Sequence, residues 1–336
     1  MDKIIGIGNA LVDVLIRLDD DETLSRLGLP KGSMVLIDDE RQQALSPHVE
    51  ALNPARATGG SAGNAMLALA NLGRRPGFVG CVAGDETGRF FEDNCRLTGI
   101  DARLIHREGH SGVANTFITP DAERTFATYL GVAAQLSPED ITEELFRGYQ
   151  LLHIEGYLVQ DRDLILRICQ TAKRLGMQTS IDLASYNVVK DNLPLLRTLV
   201  RDYIDIVFAN EEESLAFTGR PNPAEALRDI AEMARVAVVK LGARGASAMT
   251  GGEPSYWPGQ SEHVVDTTAA GDFFAGGFLH ALTLGGTLEQ CLEMGTLLAG
   301  NVIQVVGTRL PARQWEQIRR KAGEILPSST LYPPNP

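Results

Sequence analysis

Apolar residues in this chain fall into two patterns that alternate along it. Short solid runs such as "KIIGIG", "PGFVGCVA", "LLHIEG", "QTSIDLA", "IDIVFAN" and "VAVVKLG" read as buried strands. Between them lie runs with apolar residues at helical spacing: "SAGNAMLALANLG", "DETGRFFEDNCRLTG", "DRDLILRICQTAKRLG", "LPLLRTLVRD" and "AEALRDIAEMA". In the first helix Ser61 stands at the expected N-cap and Gly73 at the expected end. Strands alternating with helices of this length predict an α/β fold with a mostly parallel sheet covered on both faces.

Two segments break the alternation. Residues from about 10 to 45 hold "LVDVLIRLDD" and "SMVLID"; residues from about 101 to 130 hold "DARLIHREG", "GVANTFIT" and "RTFATYL". Both read as alternating strands joined by turn residues such as Pro120-Asp121. Together they predict a small half-exposed sheet, a lid over the main sheet's ligand crevice. The expected organisation is one domain over 1–326 and a loose Pro-rich tail, "LPSSTLYPPNP", over 327–336.

Composition narrows the partners. The chain has 336 residues and a formal net charge of −12, which argues against nucleic acid or an anionic membrane. No run of 18 apolar residues and no leader pattern is seen. Cys81, Cys95, Cys169 and Cys291 are far apart in sequence and fit free buried thiols in a reducing cytoplasm.

The chemistry gathers in "DTTAAGDFFAGGFLHAL", from Asp266 to Leu282. A helix's first turn offers unpaired N–H groups and a partial positive charge, and small residues before it let an anion approach. Asp272 would repel a resting anion there, but it suits a general base that takes a proton from a hydroxyl attacking a phosphate. Taken alone, the stretch also fits a capped helix start with close packing.

Four further motifs carry similar pairs of readings. "VFANEEES" ends a strand on Asn210 ahead of three glutamates, oxygen donors suited to hydrated Mg2+ or simply an acidic helix start. "TGGSAGNA" puts Gly59 and Gly60 before a helix with Asn64 in its first turn, a bed for a substrate hydroxyl or a tight turn. Asp13 in "GNALVDV" could grip a diol or face solvent. "KLGARGA", from Lys240 to Ala246, could flank a nucleotide or form a hairpin. "GIGNA" is no dinucleotide fingerprint, because Leu11 stands where the third glycine belongs. There is no P-loop, no zinc-spaced His pair and no GxSxG elbow.

These residues, in this order, resemble the PfkB or ribokinase-like carbohydrate kinases. "DTTAAGDFFAGGFL" is similar to that family's C-terminal signature, "GGSAGNAMLALANLG" to its N-terminal one, "NEEE" to its N-x-x-E motif and "KLGARG" to its strand-turn element. The likeness covers roughly residues 3 to 312. It implies a ribokinase-like three-layer α/β/α sandwich with a β lid, and transfer of the ATP γ-phosphate to a substrate hydroxyl with Mg2+. It implies Asp272 as base and Ala269, Ala270 and Gly271 as the anion hole. Asn210 and Glu213 would organise Mg2+ through water, and Asp13, Gly59, Gly60 and Asn64 would hold the acceptor. Gly242 and Gly245 would lie by the nucleotide, with Lys240 ahead of them, and Asn301 near the adenine. Monovalent-cation (K+) activation and monomer or homodimer states both occur in the family, and no residue here decides either. Two departures stand out: Thr268-Ala269 replaces a commoner x-Gly, and Ala184 follows Asp182 where many sugar kinases have Asn, with Asn187 nearby.

"GIGNALVDV", "GGSAGN" and "VVGTRLP" lean toward the adenosine kinase branch. On that reading the acceptor is a ribose-containing nucleoside phosphorylated on its hydroxymethyl group. Met34, Leu36, Phe117, Phe126 and Tyr157 are then candidates to face the base. The competing reading is a sugar or sugar-phosphate kinase, for which Arg103, Arg107 and Arg124 are candidate phosphate ligands. A non-catalytic nucleotide-binding protein is the remote alternative, disfavoured because Asp272 is intact.

Overall fold

Along each central strand of the computed structural model, neighbouring side chains point into two different cores. Ile4, Phe78, Phe208, Val236 and Val238 pack on one side with Phe273 and Phe278; Ile5, Ile7, Val79, Leu152, Ile181 and Val207 pack on the other. A period of two with both positions apolar is what a sheet buried on both faces requires. The structure describes residues 3–121, 123–260 and 263–327. Nearly all of the expected loose tail therefore lies outside the described residues.

The strands, in chain order, are β1 (Ile4–Ile7), β2 (Leu11–Arg17), β3 (Met34–Leu36), β4 (Ala55–Gly59), β5 (Gly77–Ala83), β6 (Asp101–Arg107) and β7 (Gly112–Ile118). They continue with β8 (Arg124–Tyr129), β9 (Leu151–Glu155), β10 (Gln178–Asp182), β11 (Ile206–Asn210), β12 (Val236–Lys240), β13 (Ala246–Met249) and β14 (Ser255–Trp257). Nine of them form the main sheet in the order β14-β13-β12-β11-β10-β9-β1-β5-β6, parallel from β12 to β6. β13 and β14 close one edge antiparallel. The alternation predicted this mostly parallel sheet covered on both faces, and the family resemblance implied the ribokinase-like α/β/α sandwich that it forms.

The remaining five strands form the lid, in the order β3-β8-β7-β2-β4. Its make-up corrects the expected boundaries. Residues 101–107 belong to the main sheet, paired with β5 from Gly77–Asp101 to Ala83–Arg107. β4, which the sequence reading left outside the lid, is a lid edge paired with β2. The register puts Asp13, Ala57, Ala114, Thr128 and Leu36 side by side on one lid face, with Thr116, Phe126 and Met34 beside them. Val12, Val14, Val113, Phe117 and Ala127 share the opposite face and belong to the apolar core with Leu45 and Val49 of helix Asp39–Ala51.

Candidate active site

Four parallel strands end on a polar residue after an apolar run. Glu155, Asp182, Asn210 and Lys240 are the last residues of β9, β10, β11 and β12. Carboxyl ends of parallel strands open onto the crevice where α/β folds take ligands. Lys240 Nζ meets Asp182 Oδ2 at 2.6 Å, and both side chains are largely buried. Burial pulls the Lys240 pKa down, but Asp182 and Glu213 pull it up by more, so the ammonium stays charged.

The helix Ala270–Thr283 meets this row with its N-terminus. Its N-cap, Ala269, has φ 60° and ψ 7°, a left-handed conformation that turns the chain sharply into the helix. Ala270 N–H reaches Thr267 O at 3.3 Å, and among the described residues no backbone acceptor is found for the N–H of Gly271 or Asp272. A Cβ on Gly271 would lie 3.0 Å from Lys240 Nζ, so the ammonium sits directly against this turn. Open N–H groups, a helix N-terminus and a lysine thus converge on one point, which suits an anion. Left-handed backbone suits glycine better than alanine. Ala269→Gly is therefore expected to raise stability by up to about 1 kcal/mol in urea unfolding, with turnover preserved. A clear loss of stability would mean the turn is not left-handed.

Asp272 is half-buried in the helix's first turn. Ser61 Oγ donates to its Oδ1 at 2.8 Å and Asn64 Nδ2 to its Oδ2 at 2.9 Å. Burial raises its pKa to about 6 against the bond from Asn64, with Asp182 adding and Ser61 and Lys240 opposing. Asp13 lies across from it on the lid. Burial, then the charges of Asp272 and Asp266, push Asp13 up to about 7. A Cβ on Gly59 would collide with the Asp13 carboxylate, and one on Gly60, at φ 80°, with Asn9 O. The two glycines thus let lid strand, helix and carboxylate close up together.

Most residues singled out from the sequence meet here: Asp13, Gly59, Gly60, Asn64, Lys240, Ala269, Ala270, Gly271 and Asp272. A cleft of about 420 Å3 continues outward from Ala270 and Gly271, lined by Asn210, Lys240, Gly242 and Gly245, with Phe274 and Ile303 as apolar wall. Asn301 is not among its lining residues. Its amide donates to Leu297 O at 2.8 Å and its Oδ1 accepts from Gln314, while its neighbour Gly300 lines the cleft. Asn210 and Glu213 form a reciprocal capping box: Asn210 N and Nδ2 donate to Glu213 at 2.8 and 2.7 Å, and Glu213 N donates back at 2.8 Å. Burial raises Glu213 to about 7 despite the pull of Lys240. Asn187 is exposed in helix Tyr186–Asp191 and does not fill the place beside Asp182.

Several partners escaped the sequence reading. Glu155 is buried and accepts from Asn9 Nδ2 at 2.6 Å and from Ala62 N at 3.3 Å, which ties the end of β1 to the helix carrying Ser61 and Asn64. Burial raises it to about 7 against those bonds. Asp266 is 1% exposed and accepts from Arg124 Nη1 at 2.7 Å, Thr268 N at 2.6 Å and Gly307 N at 2.8 Å. Arg124, a candidate phosphate ligand on the sugar-phosphate reading, instead joins the lid to the turn before Asp272. Glu155 had a visible signal, since it closes a buried strand as Asn210 does; Asp266–Arg124 had none, because 142 positions separate them.

Asp13 and Glu155 hold protons to about pH 7 in the fold, whereas free carboxyls release them near pH 4. The unfolded chain therefore binds fewer protons across that window, and stability falls as pH rises through 7. His153 and His280, depressed by burial to about 4, act in the opposite sense only below about pH 6.5. Between pH 6.5 and 8 the ligand-free protein should lose about 1 kcal/mol, read by chemical denaturation at both values. A gain over this interval would contradict the buried carboxyls.

Comparison with known proteins fits this geometry. Residues 32–315 match the family model described as pfkB family carbohydrate kinase. A probable sugar kinase protein from Rhizobium etli CFN 42 is 34% identical in sequence, with a TM-score of 0.85 over 96% of this chain and 98% of that one. An adenosine kinase from Sinorhizobium meliloti is 33% identical, with a TM-score of 0.84 over 96% and 99%. A 5-dehydro-2-deoxygluconokinase of Halalkalibacterium halodurans is 29% identical over 76% of this chain and 82% of its own.

Proposed function

The chain belongs to the pfkB family of carbohydrate kinases, phosphotransferases that use ATP on an alcohol group, and from that premise we propose that it phosphorylates the hydroxymethyl group of a ribose-containing nucleoside. The relatives include both sugar and adenosine kinases, so the acceptor is our reading. One observation carries it. The lid face that presents Asp13 also presents Met34, 61% exposed, Leu36, 62% exposed, and half-buried Phe126. Small residues, Ala57, Gly59 and Ala114, surround Asp13 itself. A sugar ring under Asp13 with a flat apolar base under the outer stripe matches this gradient. Phe117 lies on the other face, fully buried, and takes no part. Tyr157 is half-buried just past β9, with Asp272 among the charges that raise its pKa, and borders the same space.

The three arginines named for the sugar-phosphate reading are each already paired. Arg103 pairs with Asp101 and stacks over Tyr149, Arg107 pairs with Asp140, and Arg124 holds Asp266.

In the reaction we propose, the Asp272 carboxylate takes the proton of the acceptor hydroxyl. The freed oxygen attacks the γ-phosphorus, and the bond from that phosphorus to the β–γ bridging oxygen breaks, releasing ADP. Gly271 N–H, Asp272 N–H and the Lys240 ammonium face the charge on the moving phosphoryl group. Gly242 and Gly245 flank the nucleotide, and the adenine neighbour becomes Gly300 rather than Asn301. The donor chemistry fits a hydrated Mg2+: the carboxyl groups of Asp182, Glu213 and Asp272 outnumber the Lys240 ammonium and offer acceptors for its waters. Asn210 and Glu213, already bonded to each other, would hold it through water, and the bound ion would shield the phosphate charge of ATP. A cytoplasmic setting is our reading of the four free, buried cysteines, and K+ activation and a monomer or homodimer are what the family resemblance implies.

The test is ADP release with Mg-ATP on adenosine, inosine, guanosine, ribose, fructose and fructose phosphates. Turnover on nucleosides alone supports the reading; turnover on sugars alone removes it. Asp13→Ala should raise the acceptor KM at least about tenfold and leave the ATP KM within about twofold. The reverse pattern would place Asp13 at the nucleotide.

A further inference from the structure

Ser61 does not do what a serine at a helix start usually does. Its place before an apolar helical run suits an N-cap, yet the helix begins on Ser61 itself, with Gly60 as N-cap and no side-chain cap bond. The Ser61 hydroxyl donates instead to Asp272 Oδ1 at 2.8 Å, across 211 positions of chain.

The surroundings leave that hydroxyl free for the task. A side chain at position 60 is sterically closed, because a Cβ there would collide with Asn9 O and the backbone has φ 80°. Glu155 caps the helix from another strand. Its carboxylate accepts from Ala62 N at 3.3 Å and from Asn9 Nδ2 at 2.6 Å, which holds the first turn from behind.

On the same helix, Asn64 Nδ2 donates to Asp272 Oδ2 at 2.9 Å. Residues three apart share one helix face, so both oxygens of the base are gripped from a single surface. The carboxylate plane is thereby fixed, while each oxygen keeps a lone pair for a further donor. The two donors differ in one respect. Asn64 Oδ1 is buried and has no hydrogen-bond partner among the described residues, so Asn64 can serve base and acceptor at once. Ser61 Oγ makes its one hydrogen bond among the described residues to Asp272.

We infer that Ser61 is a positioning residue of the phosphoryl transfer: its hydroxyl fixes the Asp272 carboxylate in the plane from which it takes the acceptor's proton, and it holds neither acceptor nor nucleotide. Displacing a reacting group by about 1 Å can cost about a hundredfold in rate. A serine that only packed against the helix Ala270–Thr283 could become alanine with little effect. The role rests on Asp272 as base and is the same for a nucleoside or a sugar acceptor.

The experiment therefore uses whichever acceptor of the panel above the wild-type enzyme phosphorylates. Ser61→Ala should lower kcat at least about tenfold and leave the acceptor and ATP KM within about twofold. Ser61→Thr keeps the hydroxyl and should hold kcat within about threefold of wild type. Asn64→Ala, by contrast, should also raise the acceptor KM. The deciding comparison lies in the Asp272→Asn background, where residual turnover is measured with and without Ser61→Ala. A further loss of no more than about twofold is expected there, because a hydroxyl that acts through the base has nothing left to position. The full loss repeated in that background overturns the role. So does a Ser61→Ala enzyme within about twofold of wild type, a threonine variant as slow as the alanine one, or a raised acceptor KM with kcat unchanged. A fast Asp272→Asn enzyme would remove the base itself, and the role of Ser61 with it.

Discussion

Asp272→Asn is expected to lower kcat about a thousandfold while ATP still binds. The substitution is small enough to read cleanly. Asn64 Nδ2 can go on donating, now to the new amide oxygen, and the Ser61 hydroxyl can turn to accept from the new amide nitrogen. The geometry therefore survives, and only the proton acceptor and its charge disappear. The nucleotide cleft is lined by Ala270 and Gly271 but not by Asp272, so nucleotide affinity should stay within a few-fold. The wild-type pH profile should carry the same signature. With the carboxyl near 6, kcat falls as pH drops below that value, because a protonated Asp272 cannot take the acceptor's proton. Turnover of the variant within about tenfold of wild type, with ATP binding intact, would remove Asp272 as base.

The fold could be read from the sequence because its evidence is local. A solid apolar run such as "VAVVKLG" must be buried on both faces, and only a layered α/β arrangement provides that many covered strands. The lid was harder. "DARLIHREG" alternates as a lid strand does, yet it is the edge of the main sheet, half-buried along most of its length, and edge strands alternate for that reason. Short β4, "ARATG", carries almost no apolar signal and owes its place to pairing with β2. At the candidate site, motifs whose members lie close in sequence were legible as groups: the turn before Asp272 with Asp272, Gly59 with Gly60, Asn210 with Glu213. The pairs that fix these groups in space join distant segments: Asp272 with Ser61 and Asn64, Asp182 with Lys240, Glu155 with Asn9. Register and strand order create those contacts, and no single segment records them. Asn301 is the converse case: its neighbour Gly300 lines the cleft while its own side chain bonds Leu297 O and Gln314, a difference of helix face that sequence spacing alone does not record.

The second large effect is expected at Asp266, which joins lid and anion turn. Asp266→Ala should cost about 3–5 kcal/mol of stability, because it strands three donors, one of them a guanidinium with only 16% of its side chain exposed. Turnover should also fall, by about a hundredfold. Thr268 N–H loses its anchor two residues before Ala270, and displacing N–H groups by about 1 Å has that scale of consequence. A stability loss alone would be a common outcome of any core substitution, so a second variant isolates the pair. Arg124 starts β8 in the lid and also donates to Thr268 Oγ at 2.6 Å. In Arg124→Met the carboxylate keeps its two backbone N–H bonds, so the fold should lose less than in Asp266→Ala. In the double variant no charge is left stranded. It should be more stable than Asp266→Ala by about 1–2 kcal/mol, a favourable non-additivity that only a direct pair produces. Activity should not recover with stability, since neither replacement holds the turn. Strictly additive losses in denaturation would mean that Arg124 and Asp266 act separately, and the lid would then have no direct hold on the turn before Asp272.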